Sequence, residues 1–198
     1  MPPLMDFNKS NYKVTKISYH ETKPFILGIH YAKRMPSISF AFGLFRNDVL
    51  VGVVTYGSPA SPSLCKGICG EHWKQNVIEL NRLVLIDNIK NEASYLVAQS
   101  LKLLPVPKII VSYADTAQGH IGYVYQAINF LFTGTTKART DMASKDGKHS
   151  RHNLGDISNR TVRSAKHRYV MFIGNKHQKK KMCNDLNYKI LPYPKQTC

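Results

Sequence analysis

Acidic residues are scarce in this sequence. It contains 12 Asp and Glu against 28 Lys and Arg, which gives a formal charge of +16 over 198 residues. The excess is uneven, because residues 137–198 hold 15 of the basic residues and only 4 of the acidic ones. Such a basic C-terminal third favours a polyanionic partner, most often nucleic acid. A basic surface that is simply solvated is the alternative.

Long apolar runs are also absent. No stretch approaches the ~20 apolar residues of a membrane-spanning helix, and the N-terminal MPPLMDFNKSNYK lacks the apolar segment of a secretory signal. Hydrophobic residues nevertheless make up 43% of the chain, which is enough for a folded core. We therefore expect a cytoplasmic protein with no membrane partner, built as one domain over residues 1–198, in which a basic segment begins at about residue 137.

Cysteine is rare, and its spacing is unlike that of a metal site. The four cysteines form no CxxC pair. Cys65 and Cys69, with His72 nearby, are loosely spaced for zinc, and no second pair of ligands follows. No base adjoins either thiol in the sequence, so a cysteine nucleophile is also disfavoured. Free cysteines in a reducing compartment fit the pattern best.

Hydrophobic periodicity predicts an alternating order of strands and helices. Alternation and β-branched residues predict strands over 12–19, 37–47, 49–56, 77–86, 109–113, 168–173 and 188–191. Helical spacing predicts helices over 23–34, 92–104, 121–132 and 175–187, and residues 57–74 read as a long Gly/Pro/Ser-rich loop. Asn47 and Asp48 are expected to turn a hairpin. This order indicates an α+β (mixed α/β) protein whose mixed sheet is splayed at its centre.

Short motifs along the chain resemble one known family. They run in order from about residue 28 to 195 and comprise HYAKRMP from His30, ELNRLVL from Glu79, NEAS from Asn91, SYAD from Ser112, GHIG from Gly119, YQAINF from Tyr125, KHRY from Lys166 and PYPK from Pro192. The ordered set resembles the Mom-type DNA-modification proteins of Mu-like phages, which have a GNAT-like acyltransferase fold. The resemblance implies a transferase that attaches a small amide-bearing group of the carbamoylmethyl type to adenine N6 in DNA. It also implies protection of phage DNA from restriction in the host cytoplasm.

A glycine-rich phosphate loop is missing where an ordinary GNAT acyltransferase has one. Such enzymes cradle the coenzyme A pyrophosphate on backbone amides before a helix, whereas this chain has IDNIKNEASY there. An acyl-CoA-type donor is therefore not expected, and the identity of the donor is open. Asn91 and Ser94 are candidates to contact a cofactor anion at the start of helix 92–104. Tyr125 and Asn129, spaced i,i+4, share a face of the predicted helix and are further cofactor candidates.

Catalytic candidates gather at the end of a buried strand. Asp115 follows that strand and Ser112 lies three residues earlier, so both are placed to line one cleft. Arg82 lies in another apolar strand, where a buried arginine needs a partner. Glu79 has the wrong parity to share its face, which makes Asp115 the expected partner of Arg82. We predict catalytic roles for Asp115, Arg82 and Ser112; an aspartate that only caps a turn and a structural ion pair are the alternatives.

A histidine–tyrosine pair, His30-Tyr31, adds two further candidates. Together with the Asp115 carboxylate it is a candidate iron site, since histidine and carboxylate ligands with open positions suit iron. Tyr31 is also a catalytic candidate. So is His120, which is expected at the start of helix 121–132, where the helix dipole favours neutral imidazole. A packed His–Tyr pair and a helix start bonded to the backbone are the alternatives.

Basic residues in the loop after Tyr31 and in the C-terminal third are candidates for contact with double-stranded DNA. They are Lys33, Arg34, Lys137, Arg139, Lys148, Arg151, Lys166 and Arg168. Phosphate contacts of this kind position a protein and make its binding strongly salt-dependent. Adenine N6 is not reachable for chemistry inside a duplex, so the target base has to be flipped out.

Two other functions stay open on the sequence alone. The missing glycine loop allows a non-catalytic basic DNA- or RNA-binding protein on a degenerate GNAT fold. An acyltransferase acting on a substrate other than DNA is the second, although the basic C-terminal third argues against it. A mass-shifted deoxyadenosine in the DNA of cells that express the protein separates the enzyme from the binding module.

Overall fold

A seven-stranded mixed sheet forms the centre of the molecule. The computed structural model describes residues 7–87, 89–142 and 160–195. Its strands are β1 (Tyr12–Lys16), β2 (Phe40–Arg46), β3 (Val49–Gly57), β4 (Val77–Leu85), β5 (Lys108–Asp115), β6 (Leu131–Thr135), β7 (Arg139–Met142), β8 (Arg160–Arg163) and β9 (Lys166–Ile173). The large sheet has the order β1-β2-β3-β4-β5-β9-β6, and β7 and β8 form a separate antiparallel pair. The predicted mixed α/β class is confirmed.

Helices cover both faces of this sheet. They are α1 (Tyr19–Lys23), which continues into a π-helix over Pro24–Ile29, then α2 (Pro62–Cys69), a 3-10 helix over Glu71–Asn76, α3 (Glu92–Leu103), α4 (Tyr123–Ala127) and α5 (Lys176–Asn184). Within the described part of the chain, no helix is long and apolar enough to cross a membrane. One face of the sheet packs on α3 through Leu96, Val97 and Leu101. The opposite face packs on Ile68 of α2 and Met182 of α5.

Local sequence signals account for several element boundaries. Asn47 and Asp48 both take positive φ angles, of 48° and 64°, as a two-residue hairpin turn requires, so that prediction is confirmed. The predicted loop 57–74 is wrong, because Ser61 caps α2 by accepting a hydrogen bond from the backbone N–H of Leu64. The predicted strand 188–191 is wrong as well, since these residues are not in a strand.

The predicted helix 121–132 is much shorter in the structure. Only α4 is helical there, and the chain already enters β6 at Leu131. The backbone of Asn129 is left-handed, with φ 64°, and such a residue ends a helix rather than extending it. The apolar run that resembled a helix is therefore a single helical turn followed by a sheet strand.

The centre of the sheet opens between β4 and β5. These strands are parallel and pair only from Val77↔Ile109 to Leu80↔Ser112. Beyond that point β4 stays with β3 and β5 stays with β9. The register of β4 shifts at this point, because Tyr56 of β3 faces Leu80 while the preceding Thr55 faces Arg82. This bulge bends β4 away from β5, and the expected splay of the sheet is confirmed.

Gly122 and Gly119 make a matched pair for testing the packing at this opening. Both have positive φ, but a Cβ on Gly122 would lie 2.5 Å from the ring of Tyr169, whereas one on Gly119 would meet nothing within 4 Å. We expect Gly119→Ala to lower the free energy of unfolding by about 1–2 kcal/mol from backbone strain. Gly122→Ala should cost about 1–3 kcal/mol more from overpacking. Urea unfolding of both variants measures the difference; equal losses would contradict the predicted contact.

Candidate functional site

A cleft of about 1590 Å³ lies where β4 and β5 part. Its lining carries seven basic side chains: Arg34, Arg82, Lys137, Arg139, Arg163, Lys166 and Arg168. Among the described residues that line it, Glu79 is the single acidic one. A concave site with so strong an excess of positive charge attracts anionic ligands and raises their local concentration.

Glu79 comes from β4, just before the bulge. The bulge adds one residue between Leu80 and Arg82, so Glu79 and Arg82 both line the cleft. The parity argument that separated them is therefore wrong. Burial raises the pKa of Glu79 to about 7, against the opposing effect of Arg82 and Lys166. A carboxyl group with this pKa both accepts and releases a proton near neutral pH.

Arg82 is held by backbone carbonyls rather than by a carboxylate. Its guanidinium donates to the carbonyl oxygens of Asn81 at 2.6 Å and Arg34 at 2.9 Å. The expected pairing with Asp115 is therefore wrong. Burial lowers the pKa of Arg82, and the neighbouring Arg34 lowers it further. The Nε of Arg82 is buried without a hydrogen-bond partner in the described structure, which leaves one N–H for a ligand.

Asp115 lies behind the cleft wall and braces it. One carboxylate oxygen accepts from Lys166 Nζ at 2.6 Å, and the other accepts from Ser164 Oγ at 2.5 Å and the backbone N–H of Ala117 at 3.0 Å. Burial alone would raise the pKa of Asp115, but the bonds from Lys166 and Ser164 outweigh it and hold that pKa low. Lys166 and Ser164 line the cleft and Asp115 does not. Its geometry therefore fits a positioning residue better than the predicted catalytic group.

Aromatic and imidazole groups form the mouth of the cleft. The rings of His30 and Tyr31 stack at 4.4 Å, and His120 meets Tyr31 edge-on at 6.3 Å. His30 Nδ1 accepts the backbone N–H of Ala32 at 3.0 Å. Burial, with smaller effects from Arg82 and other cations, lowers the pKa of His30 to about 4. His30 is therefore neutral at physiological pH. His120 lies in the turn before α4 rather than at a helix start, so the helix-dipole argument for it is wrong.

Ser112 and Tyr125 sit where the two strands separate. Ser112 is fully buried and donates to the carbonyl oxygen of Leu80 at 3.0 Å. Burial raises the pKa of Tyr125 to about 12, and the nearby Ser112 acts to lower it. Tyr125 lines the cleft and Ser112 does not. Ser112 thus ties β5 to β4 beside Tyr125.

The predicted cofactor residues are not gathered into an anion site. Ser94 donates its hydroxyl back to the carbonyl oxygen of Asn91 at 3.1 Å, and the Asn91 side chain makes no capping bond. Glu92, buried at the first turn of α3, places a carboxylate beside the helix N-terminus and pairs with Arg46 at 3.4 Å. The Glu92 carboxylate already lies at the positive end of the α3 helix dipole. The start of this helix therefore does not fit a pyrophosphate. Asn129 lies beyond α4 and does not share a helix face with Tyr125.

Two of the three predicted iron ligands hold hydrogen bonds to other groups. Both oxygens of Asp115 and the Nδ1 of His30 are engaged in this way. In the described ranges, no three or more His, Cys, Asp or Glu side chains are grouped to hold a metal ion. Iron binding by His30, Tyr31 and Asp115 stays a prediction, which metal analysis of the purified protein would test.

Most of the predicted DNA-contact residues do meet at the cleft. Arg34, Lys137, Arg139, Lys166 and Arg168 line it, whereas Lys33 lies outside. Lys148 and Arg151 fall outside the residues that the structure describes. Glu79 and Tyr123 were not among the predicted site residues. The only signal for Glu79 was a carboxylate in an apolar strand.

Solved structures with the same architecture have little sequence in common with this chain. NAA60 of Arabidopsis thaliana, in complex with acetyl-CoA, has a TM-score of 0.52 and 12% identity, covering 82% of this chain and 98% of that one. The yncA protein of Salmonella typhimurium, with its cofactor acetyl-CoA, has a TM-score of 0.50 and 8% identity, covering 85% and 98%. The likeness confirms the predicted GNAT-like fold.

Sequence comparison identifies the family. Methylcarbamoylase mom of Escherichia phage Mu is 28% identical over 212 residues, covering 97% of this chain and 87% of that protein. The Mom protein family model matches residues 11–195, which include every strand of the sheet and the whole cleft lining. This chain belongs to the Mom protein family.

Proposed function

We propose that this chain attaches a small amide-bearing group of the carbamoylmethyl type to the N6 amino group of adenine in double-stranded DNA. The observation that carries the proposal is Glu79, a carboxyl group with a pKa of about 7 in a cleft whose lining also carries seven Lys and Arg side chains. Membership in the Mom family and the name of the phage Mu relative, a methylcarbamoylase, support the nature of the transferred group. Protection of phage DNA from restriction, in the host cytoplasm, is the role that we propose for this reaction.

Glu79 is placed to act as the general base. The lone pair of adenine N6 is delocalised into the ring, so this amine becomes a good nucleophile only as it loses a proton. Glu79 accepts that proton while the bond from N6 to the incoming carbon forms, and the leaving group of the donor departs with its bonding electrons. A base with a pKa close to the working pH is suited to this transfer.

Arg82 is placed to stabilise negative charge on the leaving group of the donor. Its buried Nε–H has no partner among the described residues, and two backbone carbonyls fix its guanidinium. A fixed donor in a buried site stabilises the charge that develops on the departing group without reorganising. We assign this role to Arg82 because it lines the cleft on the same strand as Glu79.

Aromatic side chains at the mouth are placed to hold a flipped base. Tyr31 and Tyr123 line the cleft with 52% and 61% of their surface exposed, so both rings are accessible from the cleft. Flipped bases stack on such side chains. His30, stacked under Tyr31 and neutral, supports that ring without adding charge.

Replacing Glu79 tests the proposed base. We expect Glu79→Gln to lower the rate of DNA modification by about 10²–10⁴-fold, the usual contribution of a general base. The wild-type rate should rise with pH through a midpoint near 7, because only ionised Glu79 accepts the proton. Expression in a bacterium, followed by mass analysis of deoxyadenosine from its DNA, supplies the first readout. Glu71→Gln, at an exposed residue paired with Lys66, is the control and should retain full activity.

Two outcomes would contradict the proposal. Full activity in Glu79→Gln would show that Glu79 is not the general base. Tight DNA binding by soluble wild-type protein without any modified deoxyadenosine would instead favour a binding module on this fold.

The burial of Glu79 also has a consequence for stability. The folded-state pKa of Glu79, about 7, lies above the ordinary 4.5. Its contribution to the free energy of unfolding is therefore fully present below pH 4.5 and is lost as pH rises through 7. Glu79→Gln has no charge to bury, so its free energy of unfolding should rise by about 1–3 kcal/mol relative to that of wild type between pH 4 and pH 8. Urea unfolding at the two pH values measures this gain. A difference between the two proteins that does not change with pH would show that the carboxyl group is not buried as described.

Asp115 should act through Lys166 rather than on the substrate. Asp115→Asn removes the 2.6 Å ion pair, and we expect it to release Lys166 and reduce modification at least tenfold, together with a loss of about 1–3 kcal/mol in stability. Asp185→Asn breaks comparable contacts to Trp73 and Lys181 away from the cleft and serves as the control. At a temperature where both are folded, Asp185→Asn should retain activity. Equal losses of activity in the two variants would show that Asp115 contributes only to the stability of the fold.

A further inference from the structure

The π-helix that follows α1 ends in a short exposed run without a polar side chain. It spans Pro24–Ile29, and its last three residues, Leu27, Gly28 and Ile29, are all exposed. Exposed runs of three apolar residues are unfavourable on a soluble surface unless they serve a function. Single π-helical turns are also frequent at functional sites. The end of this helix is therefore a candidate contact surface.

Ile29 is the residue of this run that faces the cleft. It lines the cleft beside His30 and Tyr31, whereas Leu27 and Gly28 do not. Residues two positions apart in a helix lie on roughly opposite sides of its axis, which agrees with the difference between Leu27 and Ile29. Ile29 is 49% exposed. An apolar, branched side chain therefore meets water at the opening through which a substrate enters.

The backbone on either side of Ile29 is fixed. Before it, Phe25 is buried in the core, and its carbonyl oxygen accepts from the backbone N–H of His30 at 3.0 Å. After it, the carbonyl oxygen of Arg34 accepts from Arg82 Nη2 at 2.9 Å. A side chain on a backbone held in this way contacts a partner without a large further loss of conformational entropy.

Basic residues follow Ile29 within five positions. Lys33 is exposed, and Arg34 lines the cleft. An apolar side chain with cations beside it is complementary to the surface of duplex DNA, where phosphates flank the stacked bases. Phosphate contacts position a protein on the duplex, and apolar side chains such as isoleucine insert between base steps. This complementarity favours duplex DNA as the partner of Ile29.

We propose that Ile29 inserts into the base stack of the duplex, in the space that the flipped adenine leaves. The inference rests on the proposed function for its DNA substrate. Extruding a base costs unstacking and unpairing free energy, and burial of the Ile29 side chain between the remaining bases offsets part of this cost. Ile29 is thus a positioning residue, which holds the duplex open while Tyr31 stacks on the extruded base.

Replacing Ile29 tests the insertion by comparing duplex with single-stranded DNA. We expect Ile29→Ala to weaken binding to an adenine-containing duplex by about tenfold or more, because most of the apolar surface buried between the bases is lost. Binding to the adenine-containing strand alone should change by less than about twofold, since a single strand has no gap between base pairs to fill. Fluorescence anisotropy of labelled DNA measures both dissociation constants and requires no group donor.

Two control variants are matched to Ile29→Ala. Ile86→Ala removes the same side chain at a position that is 54% exposed and outside the cleft lining, and Leu27→Ala changes the same helix end, also outside that lining. Neither should change either affinity by more than about twofold, as is usual for surface substitutions. Ile29→Met keeps an apolar side chain of similar volume and should retain duplex binding within about threefold.

Unchanged duplex binding by Ile29→Ala would overturn the inference. Equal weakening on duplex and single strand would overturn it as well, because Ile29 would then contact the extruded nucleotide rather than the stack. Circular dichroism establishes that each variant is folded. If Ile29→Ala is not folded, Ile29→Thr, which keeps the branched shape and lacks most of the apolar character, takes its place.

Mass analysis of deoxyadenosine from cells that express the protein separates this inference from the proposed function. Modified deoxyadenosine made by the wild-type protein, together with unchanged duplex binding by Ile29→Ala, contradicts the insertion alone. Wild-type protein whose duplex binding depends selectively on Ile29, but which leaves deoxyadenosine unmodified, supports the insertion and contradicts the proposed function.

Discussion

The parting of β4 from β5 is the constraint on which the rest of the site depends. Each strand keeps its outer neighbour and loses its inner one after Leu80↔Ser112. The bulge that follows Leu80 allows Glu79 and Arg82 to line the same opening. Without it, the alternation of β4 would direct one of them to the α3 face of the sheet, where the core is apolar. The one added residue therefore opens the cleft and places both Glu79 and Arg82 in its lining.

Charge and burial act together in this cleft. Seven basic side chains line the cleft together with Glu79, and two of them, Arg82 and Lys166, act to lower its pKa. Burial is the larger effect, and the pKa of Glu79 rises to about 7. Asp115 shows the opposite balance, because the bonds from Lys166 and Ser164 outweigh its burial. Two carboxyl groups on neighbouring strands thus take different roles, one as an exchangeable base and one as a fixed brace.

The sequence predicted the architecture better than the site. Alternation located β2, β3 and β4, and apolar spacing located α3, because these elements obey simple periods. The predicted helix over 121–132 was wrong because Asn129 turns the chain with a positive φ, which apolar spacing does not reveal. The predicted Arg82–Asp115 pair was wrong for a different reason. Cross-strand pairing places Lys166 directly opposite Asp115, and that pairing joins residues 51 positions apart.

The ionisation of Glu79 in the protein and its response to DNA test the central claim most directly. The chain has four glutamates, Glu21, Glu71, Glu79 and Glu92, so carbon NMR of carboxyl-labelled glutamate resolves them, and Glu79→Gln assigns the signal. Our account predicts that the Glu79 signal titrates near pH 7 and shifts when an adenine-containing duplex is added. Titration of Glu79 below pH 5, or a signal that duplex DNA leaves unchanged, would contradict it.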